Sequence, residues 1–163
     1  MPELVLRVNG NSYEVKAGIT ATLADILRDG LGLIGTKIMC NEGECGACTV
    51  LINGKPVLSC MTLAVDAQNK DILTIEGLAD PVTGELHPIQ ESFIKHSAMQ
   101  CGVCTPGMIM TAKALVDRNS DPTEDDVRRA LSGNLCRCGN YRRIAESVLE
   151  AAKNMRRGEK DGK

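Results

Sequence analysis

The chain has 163 residues, 43% hydrophobic and 25% charged, with a formal net charge of −2, the makeup of a folded protein of one ordinary or two small domains. Its Lys and Arg residues are scattered or gathered at the C-terminal end, so no basic stripe exists and nucleic acid is not expected as a partner. No apolar run reaches bilayer-spanning length, and Met1-Pro2-Glu3-Leu4 opens no basic-then-apolar leader, so a cytoplasmic chain without direct membrane insertion is expected.

The first half reads as strands joined by tight hairpins. Leu4 to Val8 and Ser12 to Val15 flank Asn9-Gly10, and Thr49 to Ile52 and Pro56 to Leu58 flank Asn53-Gly54; Asn-Gly between such runs supplies the two left-handed residues of a hairpin turn. Leu23, Ile26 and Leu27 predict a short helix over Thr22 to Arg28, stopped near Gly30. A further strand is predicted at Ile72 to Ile75. Asp80-Pro81 and Gly84, with little apolar periodicity around them, mark residues 79–87 as a linker.

The second half changes to helical periodicity: Pro88 to Ala98, Pro106 to Asp117, Pro122 to Leu131 and Tyr141 to Met155. Four helices of this size suggest a bundle. Asp121-Pro122-Thr123-Glu124 reads as a helix start, with a capping side chain, Pro in the first turn and an acid that reaches back. Residues 156–163 read as a frayed, charged tail. The overall expectation is an α+β chain with a sheet region over 1–78 and a helical region over 88–155.

With no Trp, one Phe and two Tyr, the rings that usually dominate a core are nearly absent. Eight cysteines without a secretion signal argue against disulfides and for metal binding. The first four, Cys40, Cys45, Cys48 and Cys60, have the C-x4-C-x2-C…C spacing of a plant-type [2Fe-2S] site. Such a cluster is anionic and its sulfurs need N–H donors; Gly43 and Gly46 let the backbone wrap closely enough to provide them. A four-thiolate zinc site is the alternative, but zinc sites are typically assembled from paired C-x2-C knuckles.

The second four, Cys101, Cys104, Cys136 and Cys138, form a C-x2-C and a C-x-C pair separated by two predicted helices. A C-x2-C pair alone suits a redox dithiol or half a zinc site as well as a cluster. The C-x-C pair shifts the balance towards a compact cluster where helix hairpins join, with helix N-termini near its negative charge.

Three segments together resemble the small iron-sulfur subunit of the molybdenum hydroxylases, the xanthine oxidase family. They are Glu42 to Val50, Gln100 to Met108 and Gly133 to Cys138, in that order, and the resemblance covers nearly the whole chain. It implies an N-terminal β-grasp, plant-type ferredoxin-like domain and a C-terminal four-helix domain, each carrying one [2Fe-2S] cluster. The implied partners are a large subunit holding a molybdopterin-type molybdenum cofactor and a medium subunit holding FAD. The resemblance also nominates Gln100, and the loop at Cys138, as contacts to the pterin. Where many relatives continue Thr-Gly-Tyr after the last cysteine, this chain has Gly139-Asn140-Tyr141.

Other residues carry less. Gly30-Leu31-Gly32-Leu33-Ile34-Gly35 matches a dinucleotide fingerprint, but it follows a helix rather than a strand. His87 and His96 read as surface or capping residues, because the cysteines already complete two four-thiolate sets. Arg137 reads equally as a charge beside a cluster and as an exposed ion-pair partner. Met99, Met108 and Met110 read as core filling, and Glu42 and Glu44 as loop-surface carboxylates without a catalytic role. The expected function is electron relay inside a molybdenum-containing hydroxylase or dehydrogenase; a free-standing ferredoxin-type carrier and a zinc-stabilised interaction module are the alternatives.

Overall fold

The structure is a computed structural model that describes Met1 and residues 3–161. Among these residues one five-stranded sheet is formed by β1 (Glu3–Val8), β2 (Asn11–Lys16), β3 (Thr49–Ile52), β4 (Lys55–Leu58) and β5 (Asp71–Leu73), in the order β2-β1-β5-β3-β4. The β1/β2 and β3/β4 hairpins are antiparallel and turn on Asn9-Gly10 and Asn53-Gly54, all four at positive φ as the dipeptides predict. β5 lies between them, parallel to β1 and antiparallel to β3.

β5 stops at Leu73, two residues earlier than expected. Asn9 ends it: its Oδ1 accepts from the Thr74 backbone N–H and its Nδ2 donates to Thr74 Oγ1, both at 2.9 Å. Ile75–Gly77 then turns as a short 3-10 segment. The expected helix after Thr22 is an α-turn, α1 (Leu23–Asp25), widened into a π-turn over Ile26–Gly30, with the Thr22 hydroxyl and Asp25 carboxylate forming a capping box. Alternation in β1 buries Leu4, Leu6 and Val8 against Leu23, Ile26, Leu27, Val50, Ile52 and Ile72, which makes one core.

The remaining helices are α2 (Pro88–Lys95), α3 (Thr105–Arg118), α4 (Glu124–Ala130) and α5 (Tyr141–Asp161). Their core gathers Ile89, Phe93, Met108, Met110, Val127, Ile144 and Val148 with Leu51 of β3. β3 is buried on both faces, Val50 and Ile52 towards the first core and Leu51 towards the helices, so the helices pack on the face of the sheet opposite α1.

Several element ends differ from the sequence reading. Within 79–87 the chain makes a turn, with Asp80 Oδ1 accepting from the N–H groups of Val82 and Thr83. α2 ends at Lys95 because Ser97, at φ +50, lets the N–H groups of Ser97 and Ala98 return to Ile94 and Phe93. α4 begins after Thr123, whose hydroxyl caps Asp126, and not at Asp121. The last helix continues through 156–161, so these residues are not a frayed tail; Arg156 pairs with Asp121 near the start of α4. The rest of the predicted tail, 162–163, lies outside the described residues. No described helix is long and apolar enough to cross a membrane.

Candidate metal centres

The long loop between α1 and β3 carries Cys40, Cys45 and Cys48, and the 3-10 turn Ser59–Met61 after the second hairpin returns Cys60 to them. Cys48 Sγ and Cys60 Sγ lie 3.3 Å apart, and the Cys45 thiol is near enough to help lower the pKa of Cys40. The loop bends at Asn41, Gly43 and Gly46, all at positive φ. This turns its amides inwards: the Glu42 N–H donates to Cys40 sulfur at 3.4 Å, the amides of Cys45 and Glu44 add to the lowering of the Cys40 pKa, and that of Gly43 acts in the same direction on Cys60. The donors hold the Cys40 thiol down at about 6, whereas burial, with Cys48 alongside, pushes Cys60 up to about 11. Burying an unpartnered thiolate is costly, so the Cys48/Cys60 side of this cradle calls for a cation.

The second set forms where α2, α3, α4 and α5 end together. Cys101 and Cys104 lie just before α3, and Cys136 and Cys138 lie between the 3-10 turn Leu131–Gly133 and α5. Each thiol before α3 is influenced by one from the C-x-C segment, Cys101 by Cys138 and Cys104 by Cys136. Cys104 is buried and pushed up to about 12, first by burial and then by Cys136. Burial opposes the Cys136 thiolate too, but N–H donors from Asn140, Cys138 and Gly139 help to pull its pKa down. The Val103 N–H does the same for Cys101, which is exposed.

In both sets thiols from separate segments come within reach of one another with amides turned towards them, which fits the four thiolates and sulfur-directed donors of a [2Fe-2S] cluster. A further fit lies beside Cys104: the Thr105 hydroxyl is buried without a hydrogen-bond partner, a donor standing next to a thiol.

The two sets are joined. The Leu135 N–H, adjacent to Cys136, donates to the Cys45 carbonyl at 2.9 Å, and Asn134 Nδ2 donates to the Gly46 carbonyl at 3.0 Å. A route of backbone bonds crossed by one hydrogen bond thus connects a cysteine of each set. Sequence reasoning singled out none of Asn134, Asn140 and Thr105, although Asn134 and Thr105 lie inside the Gly133 to Cys138 and Gln100 to Met108 motifs and Asn140 in the Gly139-Asn140-Tyr141 departure. Asn140 Nδ2 donates to the Ser97 carbonyl at 3.0 Å, tying the C-x-C loop to the turn that leads to Gln100. The Tyr141 hydroxyl accepts from the Cys136 N–H at 2.8 Å.

Gln100 itself is exposed, beyond the backbone bonds that close α2, so it is not a cap of that helix. His87 is a helix cap, its Nδ1 accepting from the Ile89 N–H at 3.2 Å, and His96 pairs with Glu150. Met108 and Met110 fill the core, whereas Met99 is 39% exposed. The Gly30 to Gly35 motif lies on the loop after the π-turn, with the Gly35 N–H bound to Glu76.

Comparison with known proteins agrees with this geometry. Residues 10–95 match the model of a 2Fe-2S iron-sulfur cluster binding domain, and residues 74–149 match that of a [2Fe-2S] binding domain. The chain is 47% identical over 146 residues to the nicotinate dehydrogenase small FeS subunit of Eubacterium barkeri, covering 90% of this chain and 92% of that protein. This protein belongs to the iron-sulfur subunits of the molybdenum hydroxylase family. Among solved structures, quinoline 2-oxidoreductase from Pseudomonas putida 86 superposes with a TM-score of 0.91 at 43% identity, over 96% of this chain and 97% of the matched one. The aldehyde oxidoreductase of Desulfovibrio gigas superposes at 0.89 with 40% identity over 96% of this chain, which spans 17% of that longer polypeptide. Relatives in the family are electron-transfer subunits of oxidoreductase complexes, and this chain carries the same pair of 2Fe-2S binding domains.

Proposed function

We propose that the chain relays electrons from a molybdopterin-type molybdenum site on a large partner subunit, through two [2Fe-2S] clusters, to FAD on a medium subunit or to another acceptor. Residues 1–78 act as a β-grasp, ferredoxin-like domain and residues 88–155 as a four-helix domain, with 79–87 between them. Cys40, Cys45, Cys48 and Cys60 would hold the first cluster, and Cys101, Cys104, Cys136 and Cys138 the second. The two 2Fe-2S binding-domain matches carry this reading, together with the close approach of Cys48 Sγ and Cys60 Sγ at 3.3 Å in the first set.

When bound, each cluster supplies one-electron chemistry. The chain's residues set the conditions for it. Inward amides of residues 42–45 and 138–140 stabilise negative charge on sulfur, and buried Cys45, Cys48, Cys60, Cys104 and Cys136 keep water from most of the ligand set. The edge at exposed Cys101 and half-buried Cys138, with Gln100 beside it, would face the pterin, and Gln100 would donate or accept a hydrogen bond there. The Leu135–Cys45 hydrogen bond shortens the path between the clusters.

Two sulfur sets joined through the protein favour this reading over a lone one-cluster carrier, and the two 2Fe-2S binding-domain matches favour it over a zinc-stabilised module. Purification from the native host under mild conditions tests it. The chain should leave the column with a large molybdenum-containing polypeptide in the cytoplasmic fraction; recovery alone, with both clusters intact and no partner at any stage, would overturn the subunit assignment.

A further inference from the structure

Between the two cysteine sets lies a polar contact that packing alone does not require. Asn134 is 4% exposed, and both ends of its carboxamide are used: Nδ2 donates to the Gly46 carbonyl, and Oδ1 accepts from Thr111 Oγ1, each at 3.0 Å. The Gly46 carbonyl also accepts from the Thr49 N–H at 3.1 Å and the Thr49 hydroxyl at 2.7 Å. It is therefore satisfied without Asn134, and the added donor serves something other than solvating a buried oxygen.

The surrounding backbone is cleared for this contact. A Cβ on Gly46 would meet the Gly133 carbonyl at 2.4 Å and Asn134 Nδ2 at 2.6 Å, and a Cβ on Gly107 would meet the Gly46 carbonyl at 2.2 Å. Two glycines thus bring the first cysteine loop, the start of α3 and the segment before Cys136 to backbone contact. Apolar side chains in such a seam would tolerate sliding, whereas a buried carboxamide that both donates and accepts across it fits one register. Asn134 is followed by Leu135, whose N–H reaches the Cys45 carbonyl, so the clamp lies one residue from the link between the sets.

We infer that Asn134 is a positioning residue that fixes the separation and relative orientation of the two cluster sites, by holding the Cys45-Gly46 and Leu135-Cys136 segments in one register. This rests on the two-cluster reading above. It contacts no substrate or cofactor atom by itself; it acts through the backbone of the loops that do.

The test uses the purified holo-complex with Asn134→Ala, and Ser92→Ala as a control. Ser92 is also buried and hydrogen-bonded across elements, its Oγ donating to the Ser147 carbonyl at 2.7 Å, but it joins α2 to α5 away from the seam. Both variants should melt at lower temperature with iron and sulfide content unchanged. In dithionite-reduced samples at low temperature, Asn134→Ala should lose or broaden the spin–spin interaction between the two paramagnetic clusters, and Ser92→Ala should keep it. Should Asn134→Ala lose a cluster, Thr111→Val gives the same readout, because it leaves Asn134 in place and frees its carboxamide to turn.

An unchanged interaction in Asn134→Ala with both clusters present, or in Thr111→Val where that variant is needed, overturns the inference. Wild-type protein without two paramagnetic signals would instead refute the two-cluster reading on which it stands.

Discussion

The first cysteine set is gathered by one loop, the second by the meeting of helix ends. Three cysteines of the first lie between Cys40 and Cys48, and the same nine residues supply the amides that face their sulfurs. The second draws Cys101 and Cys104 from one side of α3 and Cys136 and Cys138 from the far side of α4, and its thiols influence one another across those segments. The first site is thus mostly a property of local chain conformation, with Cys60 brought in by a hairpin. The second exists only when the helical core is packed. Damage to that core should separate the two.

The largest separation comes from the ligands themselves. Cys104→Ser should abolish the signal of the second cluster and leave the first assembled, and Cys45→Ser should do the reverse, as read by electron paramagnetic resonance and iron content. One substitution removing both signals from folded protein would break the division. Next is Phe93→Ala: the ring is fully buried in the helical core, and its loss costs about 3–5 kcal/mol. Monitored by visible absorption during thermal unfolding, the second cluster should be released at lower temperature than the first.

Gly107→Ala sharpens the comparison at the seam. Its Cβ would meet backbone atoms of Gly46 and Ala47, which cannot swing aside, so overpacking of about 1–3 kcal/mol is expected, with both sites affected. The smallest effect is electrostatic. Lys95 and His96 hold the Glu150 carboxyl down at about 2, below its ordinary 4.5. A depressed folded pKa contributes stability that is fully present above 4.5 and is lost as pH falls towards 2. Glu150→Gln should therefore flatten the acid limb of the helical melting curve in that window and leave the first cluster's release unchanged.

What was legible in the sequence follows the same division. The C-x4-C-x2-C run and both Asn-Gly hairpins are local patterns, and the structure forms both hairpins and sets Cys48 Sγ 3.3 Å from Cys60 Sγ. The helices were legible from periodicity, but their ends were not, since those are decided by tertiary partners: Ser97 closing α2, Thr123 replacing Asp121 as a cap, Arg156 reaching Asp121 from an extended α5. The parallel pairing of β5 with β1 and the burial of β3 on both faces depend on contacts far apart in the chain. Asn134 is the clearest case of what spacing hides. It is a polar residue of ordinary type whose role comes from Gly46, 88 positions away.

The central claim is that each sulfur set grips a two-iron cluster. Anaerobically purified protein, reduced with dithionite, should contain iron and acid-labile sulfide in equal amounts and show two distinct rhombic paramagnetic signals. Stoichiometric zinc without inorganic sulfide, and no signal on reduction, would contradict it.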